Sequence, residues 1–120
     1  MLSVHMEEIG GMTVIECEGR IVQDEAAFKL RSAVTSQIEA RIIVLDLSLV
    51  SDIAAGGLGM LVFLQRWAHD HDIRLKLFNP REFVRNRLEH ASSMLDFDVA
   101  TTDEMIALLA VAEGRYARAA

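Results

Sequence analysis

The stretch that decides the fold is RIIVLDLSLVSDIAAGGLGML, Arg41 to Leu61. Its opening, RIIVLDL, is a continuous apolar run rich in β-branched residues, the pattern of a strand buried on both faces. Its end opens a helical pattern that runs to about Ala68. Between them stand Gly56, Gly57 and Gly59. Glycines at a strand-to-helix turn hold something or let something come close. Yet from Ile53 to Leu58 there is no hydroxyl, no charge and no side-chain amide. The turn has the shape of a binding loop without its side-chain chemistry.

Outward from that stretch the chain alternates strands and helices. LSVHMEEI (2–9) alternates loosely, Gly10-Gly11 makes a turn, and MTVIECEG (12–19) alternates well, which reads as a hairpin. Val14, Glu16 and Glu18 fall on one side of the second strand, Thr13, Ile15 and Cys17 on the other. In DEAAFKLRSAVTSQI (24–38), Asp24 is a candidate N-cap, and Ala27, Leu30, Val34 and Ile38 keep helical spacing. Beyond Ala68, His69-Asp70-His71-Asp72 breaks the helix. IRLKLF (73–78) is a strand stopped by Asn79-Pro80. REFVRNRLEHA (81–91) is a short amphipathic helix with Phe83, Val84, Leu88 and Ala91 apolar. DFDVA (96–100) is a weak last strand. TTDEMIALLAVAEG (101–114) is a closing helix, capped by Thr101 or Thr102, acidic in its first turn and ended by Gly114. The order ββαβαβαβα implies an α/β fold: a mixed sheet of about five strands packed by about four helices. Residues 1–113 read as one domain and 114–120 as a tail.

With 120 residues, 52% of them hydrophobic, the chain can build one sizeable core. No run reaches the roughly 18–20 apolar residues that span a bilayer, and the N-terminus lacks the basic-then-apolar pattern of a signal peptide. A single cysteine, Cys17, excludes an internal disulfide. These features together imply a cytoplasmic protein. The net charge of −6 argues against a nucleic-acid partner, which needs clustered Lys and Arg.

Catalytic and metal chemistry find little support. His69-Asp70-His71-Asp72 has metal-binding residue types, but adjacent positions point to different faces of a helix, and histidines there suit the negative end of the helix dipole. Cys17 lies mid-strand without an activating base and reads as a buried thiol. His5 and His90 have no partner identifiable from sequence. Neither Ser48 nor Ser51 sits between glycines two residues away on each side, as a nucleophile elbow requires. The glycine turn lacks the Lys and Ser/Thr of a P-loop and does not satisfy GxGxxG. No cofactor is implied.

The helix after the turn is more informative. Leu58, Leu61, Val62, Gln65 and Ala68 have core-type spacing, and Gly56, Met60, Phe63 and Trp67 form a second stripe. Three glycines in a first turn each cost up to about 1 kcal/mol against alanine. A close approach should compensate, made either by the neighbouring strand or by a partner protein.

The segment IIVLDLSLVSDIAAGGLGML resembles the signature of the STAS domain family, the fold of bacterial anti-sigma factor antagonists. There a strand ending in Leu-Asp-Leu leads to Asp-Ser-Ser-Gly-Leu-Gly or Asp-Ser-Thr-Gly-Leu-Gly. Gly19, Asn79-Pro80, Val84, Arg85, Leu88, Leu95, Asp103, Glu104 and Ala107 fit the same family along the chain. The resemblance implies a protein that binds a serine kinase, itself the anti-sigma factor, and lets go once a hydroxyl at the helix start is phosphorylated. About two negative charges then appear at the interface. Aligned on Gly57-Leu58-Gly59, the family's Asp falls on Ala54 and its two hydroxyl positions on Ala55 and Gly56, so neither can accept phosphate. Ser51 and Asp52, upstream, would end the loop and cap the helix.

Two expectations follow. One is a non-catalytic regulator that binds a protein, such as a kinase-type anti-sigma factor, through Asp52, Gly56, Gly57, Met60, Phe63 and Trp67. The other is an accessory or structural subunit of a larger assembly, stressosome-like or transporter-associated. A homodimer is compatible with both.

Overall fold

A computed structural model describes residues 2–21, 25–91 and 97–119. Among these, the predicted element order is present: β1 (Leu2–Ile9), β2 (Met12–Ile21), α1 (Glu25–Thr35), β3 (Ile42–Ile53), α2 (Ala55–Asp70), β4 (Arg74–Phe78), α3 (Glu82–Ala91), β5 (Val99–Ala100) and α4 (Thr102–Ala119). The strands lie side by side in chain order in one mixed sheet. β1 runs antiparallel to β2, and the other pairs are parallel.

The sheet buries both faces unequally. On the first face Ile15, Cys17, Ile43, Leu45, Leu47 and Leu77 meet Leu30 and Val34 of α1, Leu61 and Leu64 of α2, and Val84 and Leu88 of α3. On the second face Met12, Val44 and Phe78 meet Met105, Leu108, Leu109 and Ala112 of α4. Period-two alternation in β2 and β3 feeds both layers. Three crossover helices therefore cover one face, and α4 alone covers the other. Gly10 and Gly11 turn the hairpin with φ of 51° and 84°, the doubly positive pair that a two-residue hairpin loop requires. A β-carbon on Gly10 would strike the backbone of Ala112, so glycine also lets α4 close over the turn.

Several boundaries differ from the sequence reading. β3 continues to Ile53, six residues past the apolar run, because the end of β2 keeps pairing with it: Gly19 opposes Val50, and Ile21 opposes Ile53. Two register shifts, opposite Glu16–Glu18 and Gly19–Arg20, each place one extra residue on β3 and absorb its polar residues, and Asp46 accepts hydrogen bonds from both the Ser48 backbone N–H (3.0 Å) and its hydroxyl (2.7 Å). α1 stops at Thr35, leaving Ile38 exposed. Hydroxyls close it: Thr35 Oγ1 donates to the Arg31 carbonyl and Ser36 Oγ to that of Ala33. α4 runs through Gly114 to Ala119. Glycine weakens a helix without ending it when helix formers follow, as Arg115 and Ala117 do. Asp24 and Leu95 lie outside the described residues.

Thr101, not Thr102, caps α4. Glu104 N–H donates to Thr101 Oγ1 (3.1 Å), and Thr101 N–H donates to Glu104 Oε1 (3.4 Å), a reciprocal capping box. Lys76 of β4 is buried beneath this turn. It pairs with Asp98 at 2.9 Å and Glu104 at 3.7 Å, tying the sheet to the start of α4.

Candidate docking site at the start of helix α2

In open α/β sheets a ligand crevice forms where the strand order reverses. Here the order is sequential and all three crossover helices lie on one face, so the described strands create no such crevice.

The start of α2 is held by backbone alone. Ala54 is the N-cap residue, extended at φ −92° and ψ 169°, and makes no side-chain cap bond. Its N–H donates to the Ile21 carbonyl at the end of β2 (3.0 Å), while its own carbonyl accepts from Leu58 N–H (2.9 Å). Neither Ser51 nor Asp52 caps the helix, contrary to expectation, because both are still in β3. Ser51 Oγ donates to the Gly19 carbonyl (3.3 Å). Asp52 accepts from Ile53 N–H (2.8 Å) and faces Arg20 at 3.7 Å.

The three glycines have different tasks. Gly57 is buried, and a β-carbon there would run into the carbonyl of Ile21. This is the close approach anticipated from sequence, and the approaching element is strand β2. Gly59 is the opposite case: a β-carbon on it would meet nothing within 4 Å. Gly59 and Gly56 instead leave bare backbone along a groove of about 360 Å³ between α1 and α2, lined also by Ala27, Phe28, Arg31, Met60 and Phe63. The Arg31 guanidinium lies 4.2 Å from the centre of the Phe63 ring, a cation–π contact at the groove's rim. Phe63 is 39% exposed and Phe28 57%. No acidic side chain stands in the first turn of α2, so its positive dipole end is unopposed there.

The predicted interface residues are thus divided. Gly56, Met60 and Phe63 line one groove. Gly57 is buried beneath them, Asp52 is a neighbour in β3, and Trp67 lies farther along α2, packed against the core. The core face of α2 is Gly57, Leu61, Leu64 and Ala68, rotated from the predicted set: Leu64 is fully buried, whereas Leu58, Val62 and Gln65 are only partly so. The groove wall from α1, Ala27, Phe28 and Arg31, had no signal in the sequence beyond an apolar periodicity.

Of the remaining candidates, His71, His90 and Cys17 have structural partners. His71 Nδ1 lies 2.7 Å from the Trp67 carbonyl, and its ring stacks on Trp67 at 4.5 Å. Among the described residues no three of His, Cys, Asp and Glu are grouped to hold a metal ion. Cys17 is buried, and burial, with a smaller contribution from Asp46, pushes its thiol up to about 12. Phe83, expected on the packed side of α3, is 52% exposed and stacks under Arg87 at 4.9 Å. No helix among the described residues is long and apolar enough to cross a membrane.

Comparison with known proteins places this geometry. The family model described as "STAS domain" matches residues 3–103. No curated protein matches the chain. Among solved structures, the unphosphorylated anti-sigma factor antagonist SpoIIAA superposes with a TM-score of 0.73 at 19% identity, over 91% of this chain and 97% of that one. An anti-sigma factor antagonist from Mycobacterium paratuberculosis gives 0.73 at 17% identity, over 92% and 95%. SLC26A9 gives 0.69 at 15% identity, over 88% of this chain and 20% of that one. At these identities the likeness is one of fold.

Proposed function

Since the chain belongs to the STAS domain family, we propose that it is a non-catalytic regulator that docks a protein partner, a kinase-type anti-sigma factor, on the first turns of α2 and the groove beside them. Docking there is not switched by phosphorylation at the helix start. One observation carries the reading: an apolar groove with a bare glycine floor adjoins a helix start whose residues 54–56 are Ala, Ala and Gly. The docking shape stands without an acceptor hydroxyl. Gly59 costs α2 stability while no neighbour demands it, which fits a surface that something else must approach.

The test is capture from the lysate of the source cell, comparing wild type with Phe63→Asp, both checked for folding by circular dichroism. The proposal expects an ATP-binding kinase-like protein on the wild type only. It also expects Ala55→Ser to make that capture sensitive to ATP, since a phosphate would then enter the interface. Capture that Phe63→Asp leaves unchanged, or that contains no such kinase, overturns it.

A second reading has support from the SLC26A9 likeness, in which a domain of this fold occupies a fifth of a longer chain. In that reading the groove belongs to a permanent contact within a larger assembly. Capture of stoichiometric, ATP-insensitive subunits would favour it.

A further inference from the structure

Strand β1 ends the sheet. It pairs with β2 on one side, and among the described residues no strand pairs with its other side. Such an edge presents unpaired N–H and C=O groups to any strand that can align with them. A short strand, a bulge, a proline or a lysine is the usual deterrent. β1 is regular over eight residues, Leu2–Ile9, with no register shift against β2, and it contains neither proline nor lysine. His5, Met6, Glu7 and Glu8 are consecutive and all exposed, so neither helix layer overhangs the middle of the edge.

The hairpin fixes which backbone groups point outward. Gly10-Gly11 is a two-residue loop closed by Ile9 opposite Met12. The turn's own bond makes that closing pair a hydrogen-bonded one, and such pairs alternate along the ladder. Ser3, His5, Glu7 and Ile9 therefore direct their N–H and C=O to β2, and Val4, Met6 and Glu8 direct theirs outward. A second copy related by a two-fold axis normal to the sheet runs antiparallel. Its outward groups meet these only where even-numbered residues oppose even-numbered ones. Side chains then choose the register. Centring on Glu7 opposes two carboxylates, and centring on His5 opposes two histidines. Centring on Met6 sets His5 opposite Glu7 on both sides of the axis, and Val4 opposite Glu8. An imidazole N–H donates well to a carboxylate, and the His5–Glu7 pairs are the non-hydrogen-bonded ones, whose side chains come closest. Met6, 40% exposed, meets its own copy.

We propose that β1 pairs antiparallel with β1 of a second copy of this chain, about a two-fold axis at Met6, joining the two five-stranded sheets into one. Roughly six backbone hydrogen bonds close it, from the Met6 pair and the two Val4–Glu8 pairs. Because the axis is normal to the sheet, α1, α2 and the groove between them face the same way in both copies. The pairing does not rest on the docking proposal. A strand edge buries less than the roughly 800 Å² per partner of a standard interface, so the dimer is weak and concentration-dependent.

The experiment is sedimentation velocity of the full chain from about 10 μM to about 1 mM, with disulfide trapping alongside. Wild type should pass from monomer to dimer across that range. Met6→Pro removes an outward N–H and no bond to β2, and proline is tolerated on a strand edge. It should stay folded by circular dichroism and raise the dissociation constant at least about tenfold. Trapping uses His5→Cys and Glu7→Cys as separate proteins, Cys17 being buried. Mixed, they should link, with α-carbons about 4.5 Å apart. Alone, neither should, because each lies roughly 8 Å from its own copy, beyond the reach of a disulfide. Should Met6→Pro fail to fold, the trapping decides. A wild type that stays monomeric throughout, a folded Met6→Pro that dimerises unchanged, or a cysteine variant that links to itself as readily as the mixture does each overturns the proposal. The first would leave the edge to another protein's strand or to none.

Discussion

The carbonyl of Ile21 stands where a β-carbon on residue 57 would have to go. That carbonyl also accepts the hydrogen bond from Ala54 that fixes the start of α2. One backbone oxygen at the end of β2 thus sets both the entry of the helix and its distance from the sheet. Neither role needs a side chain, which is how a helix start with no polar side chain holds its position.

Residues 57 and 59 should therefore respond oppositely to the same change. Gly57→Ala forces the helix off β2 and should cost about 1–3 kcal/mol. Gly59→Ala meets no neighbour and should stabilise by up to about 1 kcal/mol through helix propensity. Urea unfolding of the two variants against wild type measures both. Equal effects of the same sign would show that the Ile21 contact does not govern the helix start.

Cys17 should resist modification in the folded protein. With its thiol pushed up to about 12 and buried, a thiol reagent at pH 8 should label it only after denaturant is added. The same shift gives a pH dependence. Above about pH 9 the unfolded chain loses the thiol proton that the folded one keeps, so stability is at its full value below pH 9. It then falls by up to about 1.4 kcal/mol per unit as pH rises toward 12. Cys17→Ala should flatten that part of the profile, as unfolding at pH 8, 9.5 and 10.5 would show.

The ion cluster at Lys76 should be asymmetric. Lys76 is 3% exposed, whereas the Asp98 side chain is 50% exposed. Asp98→Ala leaves a buried ammonium facing Glu104 alone and should cost about 1 kcal/mol after allowance for solvent screening. Lys76→Met, which removes the buried charge, should be close to neutral. Thermal melts of the two variants decide it, and a larger loss for Lys76→Met would reverse the assignment.

The capping box of α4 should be worth about 1 kcal/mol. Thr101→Ala removes the acceptor for Glu104 N–H and should lower stability by that amount, while Thr102→Ala should change little. Differential scanning calorimetry of both variants distinguishes them. Equal losses would mean that Thr101 is not the cap that matters.

The element order was legible because each signal was local: apolar runs, Gly10-Gly11, Asn79-Pro80 and Thr101. The end of β3 was not. Ser48, Ser51 and Asp52 read as loop, and what keeps them in a strand is β2 pairing alongside, more than 25 residues away in sequence. The face of α2 was misjudged by a fraction of a turn, since a helix apolar nearly all round gives periodicity little to discriminate. Arg31 and Phe63 meet only because α1 and α2 pack together, and no spacing along one helix can announce such a pair. The need for glycine at 57 was visible as an unexplained cost, and its cause became visible once β2 was in place.

The sequential strand order also bears on how the chain is made. Each parallel strand finds its neighbour already synthesised, and the first face is roofed by its crossover helices as they emerge. Met12 and Val44 wait for α4, the last of the described elements. Until the residues of α4 leave the ribosome, the nascent sheet carries an apolar face that α4 does not yet cover, a hazard for aggregation. A ribosome stalled before residue 102 would release a nearly complete sheet that is still in need of a chaperone.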